Sequence, residues 1–318
     1  MTQKIYFYCP ECLLGLIFRK NEAKCINCGR KFENKEGIFV LLPSFLSENK
    51  IKEDWVHTLK GQDNSWYNHR IWYYFIHLSS HVLRFEQEFL PKIGGKRVLE
   101  LACGNGWASL LVKRKNPNVE VYASDISFHC LNIQGRQMSE IMRVRPDYFV
   151  VCDAEKLPFK DNFFDTVFVF ASLHHFPNIE KALLEVKRVL KPGGSFLAVD
   201  GMMPKIAQRL LGDESSERTR IYGILERRLT FSDWLNFLKK AGMPKDALHL
   251  NYDPTYLHSY PTNPDEQKLI KKNWVFNVAK EIIYGAFLSK MSQKLVEFLG
   301  LTYIFPAGIV INYQKPKK

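Results

Sequence analysis

Four cysteines near the start of the chain fall in two pairs, Cys9-Pro10-Glu11-Cys12 and Cys25-Ile26-Asn27-Cys28, with twelve residues between the pairs. Each Cys-x-x-Cys turn can aim two thiolates inward, and two such turns can close four sulfurs around Zn²⁺ in a tetrahedron. Gly29, directly after the second pair, permits the tight turn that brings the chain back. Four thiolates leave no open coordination position, so the metal expected here is structural; a redox dithiol or a pair of disulfides is the competing chemistry for the same spacing. The other three cysteines, Cys103, Cys130 and Cys152, are scattered through apolar stretches, and an odd total fits reduced thiols.

A second constellation begins at Val98-Leu99-Glu100-Leu101-Ala102-Cys103-Gly104-Asn105-Gly106-Trp107. It leaves an apolar strand and enters a helix through two glycines. Gly104 and Gly106 let a ligand approach the backbone closely, and the helix start offers N–H groups to it. Nucleotide, nicotinamide and flavin sites all use such a turn, so it is uninformative alone. Residues further along the chain narrow the choice. Asp125, nineteen residues beyond Gly106 and directly before Ile126, ends the next strand, where a carboxylate can accept both ribose hydroxyls. After a third strand comes Cys152-Asp153-Ala154-Glu155, where an acid and adjacent backbone can recognise adenine. After a fourth comes Phe170-Ala171-Ser172-Leu173-His174-His175-Phe176, on the far side of the same crevice. Plainer roles stand beside these: Asp125 and Asp153 can cap the helices that come after them, and Glu100 can be a buried hydrogen-bonding residue without ligand contact.

The elements that must position these residues are legible as alternating strand-like and helix-like runs. Strands are expected at 97–101, 119–124, 148–152, 166–170 and 195–200, and helices at about 106–115, 128–142 and 179–189. Lys191-Pro192-Gly193-Gly194 reads as a turn that stops a helix and releases a strand. A further helix at 230–241 carries Thr230 or Ser232 as its cap, and 249–252 and 308–313 supply the last strands. The pattern is that of a parallel sheet covered on both faces. Three regions result: a cysteine-rich module at 1–46, a helical, aromatic-rich connecting or capping region at 47–94, and the α/β domain at 95–318 with a helical insertion at about 265–299. The connecting region carries Trp55, Trp66, Tyr67, His69, Trp72, Tyr73, Tyr74, Phe75 and His77, read as core packing with a few as pocket wall.

From residues 97 to 200 the sequence resembles the class I S-adenosylmethionine-dependent methyltransferases, above all the group acting on quinones, lipids and other metabolites. The resemblance implies a Rossmann-like α/β fold with a parallel sheet and an antiparallel terminal strand. It implies S-adenosylmethionine as cofactor, with Glu100 near the start of the methionine-binding motif and Ala102, Gly104 and Gly106 beside the cofactor. Asp125 and Ile126 would lie on the ribose, Asp153 and Ala154 beside adenine, and the backbone after Phe170 near the methionine moiety. Ala102 stands where the family often has a third glycine, which argues against a dinucleotide.

A sulfonium methyl is already activated, so catalysis reduces to alignment and removal of a proton from the acceptor. His174 and His175 are the candidate bases, His174 first, with shaping of the loop as the plain alternative. The function expected is methylation of a small metabolite or biosynthetic intermediate at oxygen. The cysteine module ahead of such a core also resembles the organisation of bacterial ribosomal RNA guanine-N1 methyltransferases, which makes RNA the second reading, and a non-catalytic partner-binding scaffold is the third.

Length and composition fit these expectations. At 318 residues the chain can bury a large core, and its 46% hydrophobic and 25% charged content is that of a globular protein. No leader pattern opens the sequence, and the uncharged run at 298–311 is too short to span a bilayer and holds Pro306 and Gly308, so a cytoplasmic location without stable membrane insertion is expected. The net charge of +12 divides as +3 over residues 1–50, +2 over 51–200 and +7 over 201–318. Such an excess steers anionic partners, RNA included, or is simply solvated surface.

Overall fold

The structure, a computed structural model, describes residues 7–19, 21–52, 54, 82, 85–202, 225, 227–251 and 307–317. Tyr6, the aromatic run from Trp55 to His77 and the proposed helical insertion at 265–299 lie outside the described residues.

Eleven strands among the described residues form one continuous sheet. Four come from the cysteine module: β1 (Leu16–Arg19), β2 (Glu22–Cys25), β3 (Lys31–Lys35) and β4 (Ile38–Leu41), paired antiparallel in sequence. The central five are β5 (Arg97–Leu101), β6 (Glu120–Asp125), β7 (Tyr148–Cys152), β8 (Phe164–Phe170) and β9 (Leu190–Met202). They pair parallel in the order β7-β6-β5-β8-β9. Their near-continuous apolar runs suit strands buried on both faces. β10 (Leu248–Asn251) and β11 (Ala307–Gln314) complete the far edge, with β11 antiparallel to both β9 and β10. The core is thus a parallel sheet with an antiparallel strand inserted next to its fifth member.

The helices are set by apolar spacing and caps. In α3 (Ile179–Val189), Ile179, Ala182, Leu183, Val186 and Val189 recur at helical period and are buried, while Asn178 accepts the Lys181 N–H at 2.9 Å and so starts the helix. In α4 (Phe231–Lys240), Thr230 and Asp233 form a reciprocal capping box. α1 (Trp107–Lys115) starts at Gly106 in the left-handed region, φ 75°. The helix expected at 128–142 is divided: a wider π-type turn at Cys130–Gly135 leads into α2 (Arg136–Met142). Gly135 packs there against Phe149 so closely that an added Cβ would lie 3.1 Å from the ring.

One expectation about local structure is corrected. Lys191-Pro192-Gly193-Gly194 does not precede β9 but bulges out of it. Leu190 pairs with Phe164 and Ser195 with Thr166, so the extra residues loop out, and Lys315 closes the bulge through backbone bonds of 2.9 Å to Gly193 and Gly194. The cysteine module is joined to the core through the sheet. β4 runs parallel to β7, pairing Phe39 with Val150 and Leu41 with Cys152, and so extends the core sheet. Phe7 is 1% exposed in a cluster with Phe18, Phe39, Tyr122, Tyr148 and Phe159, ring centroids 4.9–6.2 Å away. Module and core therefore share one hydrophobic interior.

Candidate functional site: a cleft at the carboxyl edge of the sheet

Strand order reverses between β5 and β8, and in doubly wound sheets the crevice outside the carboxyl ends of the strands at such a point is where ligands bind. A cleft of about 220 Å³ opens there. Ala102 and Gly104 line it after β5, Asp125 and Ile126 after β6, Asp153, Ala154 and Glu155 after β7, and Ala171, Ser172 and His175 after β8. Residues far apart in the chain are thus brought together in the order the sequence pattern implies.

Three of these positions carry backbone conformations that side chains resist. Gly104 has φ 56°, but Ala102 (φ 49°) and Ala171 (φ 53°) occupy the same left-handed region without being glycine. They stand just past β5 and β8, on either side of the reversal. Strain of this kind collects at ligand sites.

The acids divide by role. Asp125 is 6% exposed and ties two turns together: Oδ2 accepts the Gly104 N–H at 2.9 Å and Oδ1 the Ser127 N–H at 3.0 Å. Asp153 Oδ1 accepts the Glu155 N–H at 2.9 Å, and its Oδ2 lies 2.7 Å from Lys50 Nζ. Glu100 does not line the cleft. It is 3% exposed beneath α1, where Oε2 accepts the Ser109 N–H at 2.8 Å and hydroxyl at 2.5 Å. Burial pushes its carboxyl up to about 8, against the opposing pull of the Ser109 bonds. Nor is the helix start as open as the sequence suggests, because Asn105 Oδ1 accepts the Trp107 N–H at 3.2 Å and Glu100 takes that of Ser109.

Neither Gly106, which begins α1, nor Phe170, whose ring packs on Phe85 and Trp107 at 5.6 and 5.3 Å, is among the residues lining the cleft. The two histidines, 4.0 Å apart ring to ring, sit in one 3₁₀ turn, Leu173–His175. His174 Nδ1 lies 2.7 Å from Oδ1 of the fully buried Asp200, whose Oδ2 also accepts the His174 N–H at 3.2 Å. His175 lines the cleft with Nδ1 2.7 Å from the Leu225 carbonyl. A carbonyl only accepts, so that nitrogen carries the proton.

Sequence reasoning missed Lys50, Asn49 and Asp200. Asp200 lies near the carboxyl end of a strand, a position that could have marked it. Nothing in the local sequence marks Lys50, which meets Asp153 across 103 positions of chain.

The four cysteines of the module converge. Cys9 Sγ lies 3.7 Å from Cys28 Sγ and Cys12 Sγ 3.4 Å from Cys25 Sγ, and all four sulfurs lie within 4.8 Å of one another. A tetrahedral ion with bonds of about 2.3 Å sets its sulfurs about 3.8 Å apart, so the donor set fits a Cys₄ metal. Glu11, inside the first knuckle, accepts Arg30 Nη1, the Ser44 N–H and the Ser44 hydroxyl on Oε1 at 2.5, 2.5 and 2.6 Å, and Lys156 Nζ on Oε2 at 2.6 Å. The bonds from Lys156 and then Ser44 hold its carboxyl down at about 2.

Residues 99–198 match the methyltransferase domain family. The ubiquinone/menaquinone biosynthesis C-methyltransferase UbiE of Bordetella avium is 33% identical over 142 residues, 39% of this chain and 55% of that protein. Its counterpart in Burkholderia mallei is 36% identical over 107 residues, 33% of this chain and 43% of that protein. The chain spans about half the length of the curated relatives it matches. Among solved structures, phosphoethanolamine N-methyltransferase 2 of Haemonchus contortus in complex with S-adenosyl-L-methionine is 21% identical, covers 74% of this chain and 52% of that one, and superposes with a TM-score of 0.47.

The fold is that of the class I S-adenosylmethionine-dependent methyltransferases. To it this chain adds an N-terminal Cys₄ cluster consistent with a small structural metal-binding ribbon. No helix among the described residues is long and apolar enough to cross a membrane.

Proposed function

We propose that the chain is an enzyme that binds S-adenosylmethionine in this cleft and methylates a small metabolite or biosynthetic intermediate, at an oxygen. The observation that carries the reading is the convergence of Gly104, Asp125, Ile126, Asp153 and Ala154 on one crevice at the reversal of strand order. The matched methyltransferase domain and the relatives named for ubiquinone/menaquinone biosynthesis support methyl transfer to a small molecule; those relatives are named as C-methyltransferases, so the oxygen acceptor is proposed from the histidine turn alone.

When bound, the cofactor supplies a methyl group on a positively charged sulfur. The protein's tasks are then alignment and proton removal. Gly104 and the strained Ala102 and Ala171 bring backbone to the cleft without bulky side chains. Asp125 offers ribose a carboxylate already fixed by two N–H groups, and Asp153 offers one to adenine. His175, with its proton held on Nδ1 by the Leu225 carbonyl, has Nε2 as the atom that takes a proton from the acceptor hydroxyl. His174, clamped by Asp200, fixes the turn that carries it.

Zinc is the ion we assign to the four cysteines, on the strength of their thiolate-only donor set and spacing. It would be held as a structural ion, since the ribbon is too small to fold on its own core.

Labelled S-adenosylmethionine turned over with a panel of phenolic and quinol acceptors tests the reading, with unmodified ribosomal RNA as a parallel arm. Methyl transfer to a small acceptor is expected. Transfer to RNA alone would replace this reading with the second one, and cofactor binding without transfer to any acceptor would favour the scaffold.

A further inference from the structure

One wall of the cleft is assembled from three stretches of chain. Lys50 Nζ stands 2.7 Å from Asp153 Oδ2 and 2.9 Å from Glu155 Oε2, with the three side chains 12%, 7% and 11% exposed. Glu155 Oε1 in turn accepts the Asn178 N–H at 2.8 Å. One ammonium thus bridges two nearly buried carboxylates, each also held by a backbone donor.

The same stretches are tied together a second time, from the ribbon. Glu11 binds Ser44 in the run that leads from β4 to Lys50, and Lys156 in the run that holds Asp153 and Glu155. β4 itself is the strand that joins the ribbon to β7, whose last residue precedes Asp153. The ribbon's exit is therefore what delivers Lys50 to the cleft.

We propose that Lys50 is a positioning residue of the cofactor site: carried in by the ribbon, it neutralises Asp153 and Glu155 and holds them in the geometry that receives an adenosine moiety. Glu11 fixes both runs to the ribbon. This inference rests on the proposed binding of S-adenosylmethionine in the cleft. Two carboxylates sharing a site repel, and a buried charge stripped of its partner is costly; a shared ammonium with three donors removes both problems. Without Lys50 the two acids part, and Asp153 no longer presents its oxygens as adenosine needs them.

The test uses the metal-loaded full chain. S-adenosylhomocysteine and adenosine are titrated calorimetrically into wild type, Lys50→Met, Lys50→Arg and Glu11→Gln, and amide hydrogen exchange is tracked in the same proteins without ligand. Lys50→Met should weaken both ligands at least tenfold and by the same factor, because the loss lies at their shared adenosine end, and should speed exchange at residues 153–157. Lys50→Arg should recover most of the affinity, and Glu11→Gln should show a several-fold loss with faster exchange over residues 44–50 and 153–157. Unchanged affinity in Lys50→Met, tighter binding there, which would make Lys50 a plug, or an arginine variant no better than methionine each overturns the proposal. A wild type that binds neither ligand overturns the cofactor reading itself, and is told apart because the failure precedes any substitution.

Discussion

Glu100 and the two histidines are where single side chains decide measurable behaviour. Burial holds the Glu100 proton to about pH 8, whereas an unfolded glutamate releases it near its ordinary value of 4.5. Across that window the native state carries more protons than the unfolded one, so Glu100 contributes stability in full below about pH 4.5 and loses it as pH rises to 8. Glu100→Gln keeps an acceptor for Ser109 and removes the titration. The urea midpoint of wild type should fall between pH 4.5 and 8 more steeply than that of the variant; parallel curves would show that the carboxyl ionises normally. For the histidines, His175→Ala should lower turnover by about 10²-fold or more with cofactor affinity unchanged, and His174→Ala by less. A larger loss in His174→Ala would return the proton to the residue that sequence order places first.

At the level of elements, the turns after β5 and β8 store strain that glycine would relieve. Ala102 and Ala171 sit at φ 49° and 53°, where a Cβ costs about 1–2 kcal/mol. Ala171→Gly should therefore raise the unfolding free energy by about 1 kcal/mol in urea titration, a gain reduced by the extra freedom glycine gives the unfolded chain. A loss would show that the alanine methyl makes a packing contact outweighing the strain. The start of α4 offers the opposite test. Thr230 accepts the Asp233 N–H and Asp233 returns a bond of 2.8 Å to the Thr230 N–H, so Thr230→Ala should lower stability by about 1 kcal/mol. Thr230→Ser should restore most of it.

For the molecule as a whole, the decisive feature is that ribbon and core are joined by both a sheet and an interior. β4 covers the edge of β7, and Phe7 fills a ring cluster drawn from both parts. Phe7→Ala should lower stability by about 3–5 kcal/mol, the range for deleting a large buried ring, although the residue lies beside the cysteines and not in the α/β core. Metal removal or Cys12→Ser should likewise lower the melting temperature of the central strands, read by amide exchange at β7. A ribbon that melted alone, leaving β7 protected, would contradict the shared interior.

The sequence by itself determined the central sheet and the crevice at its carboxyl edge. Alternating apolar runs placed the five parallel strands within a few residues, because strands buried on both faces must be apolar and the chain between them must cross over. The glycine turn, Asp125 and Asp153 stand out because backbone approach and carboxylates at strand ends are local requirements, written in a few adjacent residues. Only the tertiary structure decided that β4 would extend the sheet, that Lys191 to Gly194 would bulge from a strand, that Glu100 would brace α1 behind the cleft, and that Lys50 would meet Asp153 and Glu155. Each of these depends on which edge, neighbour or carboxylate lies across a gap, and contacts between residues a hundred positions apart leave no period in the sequence.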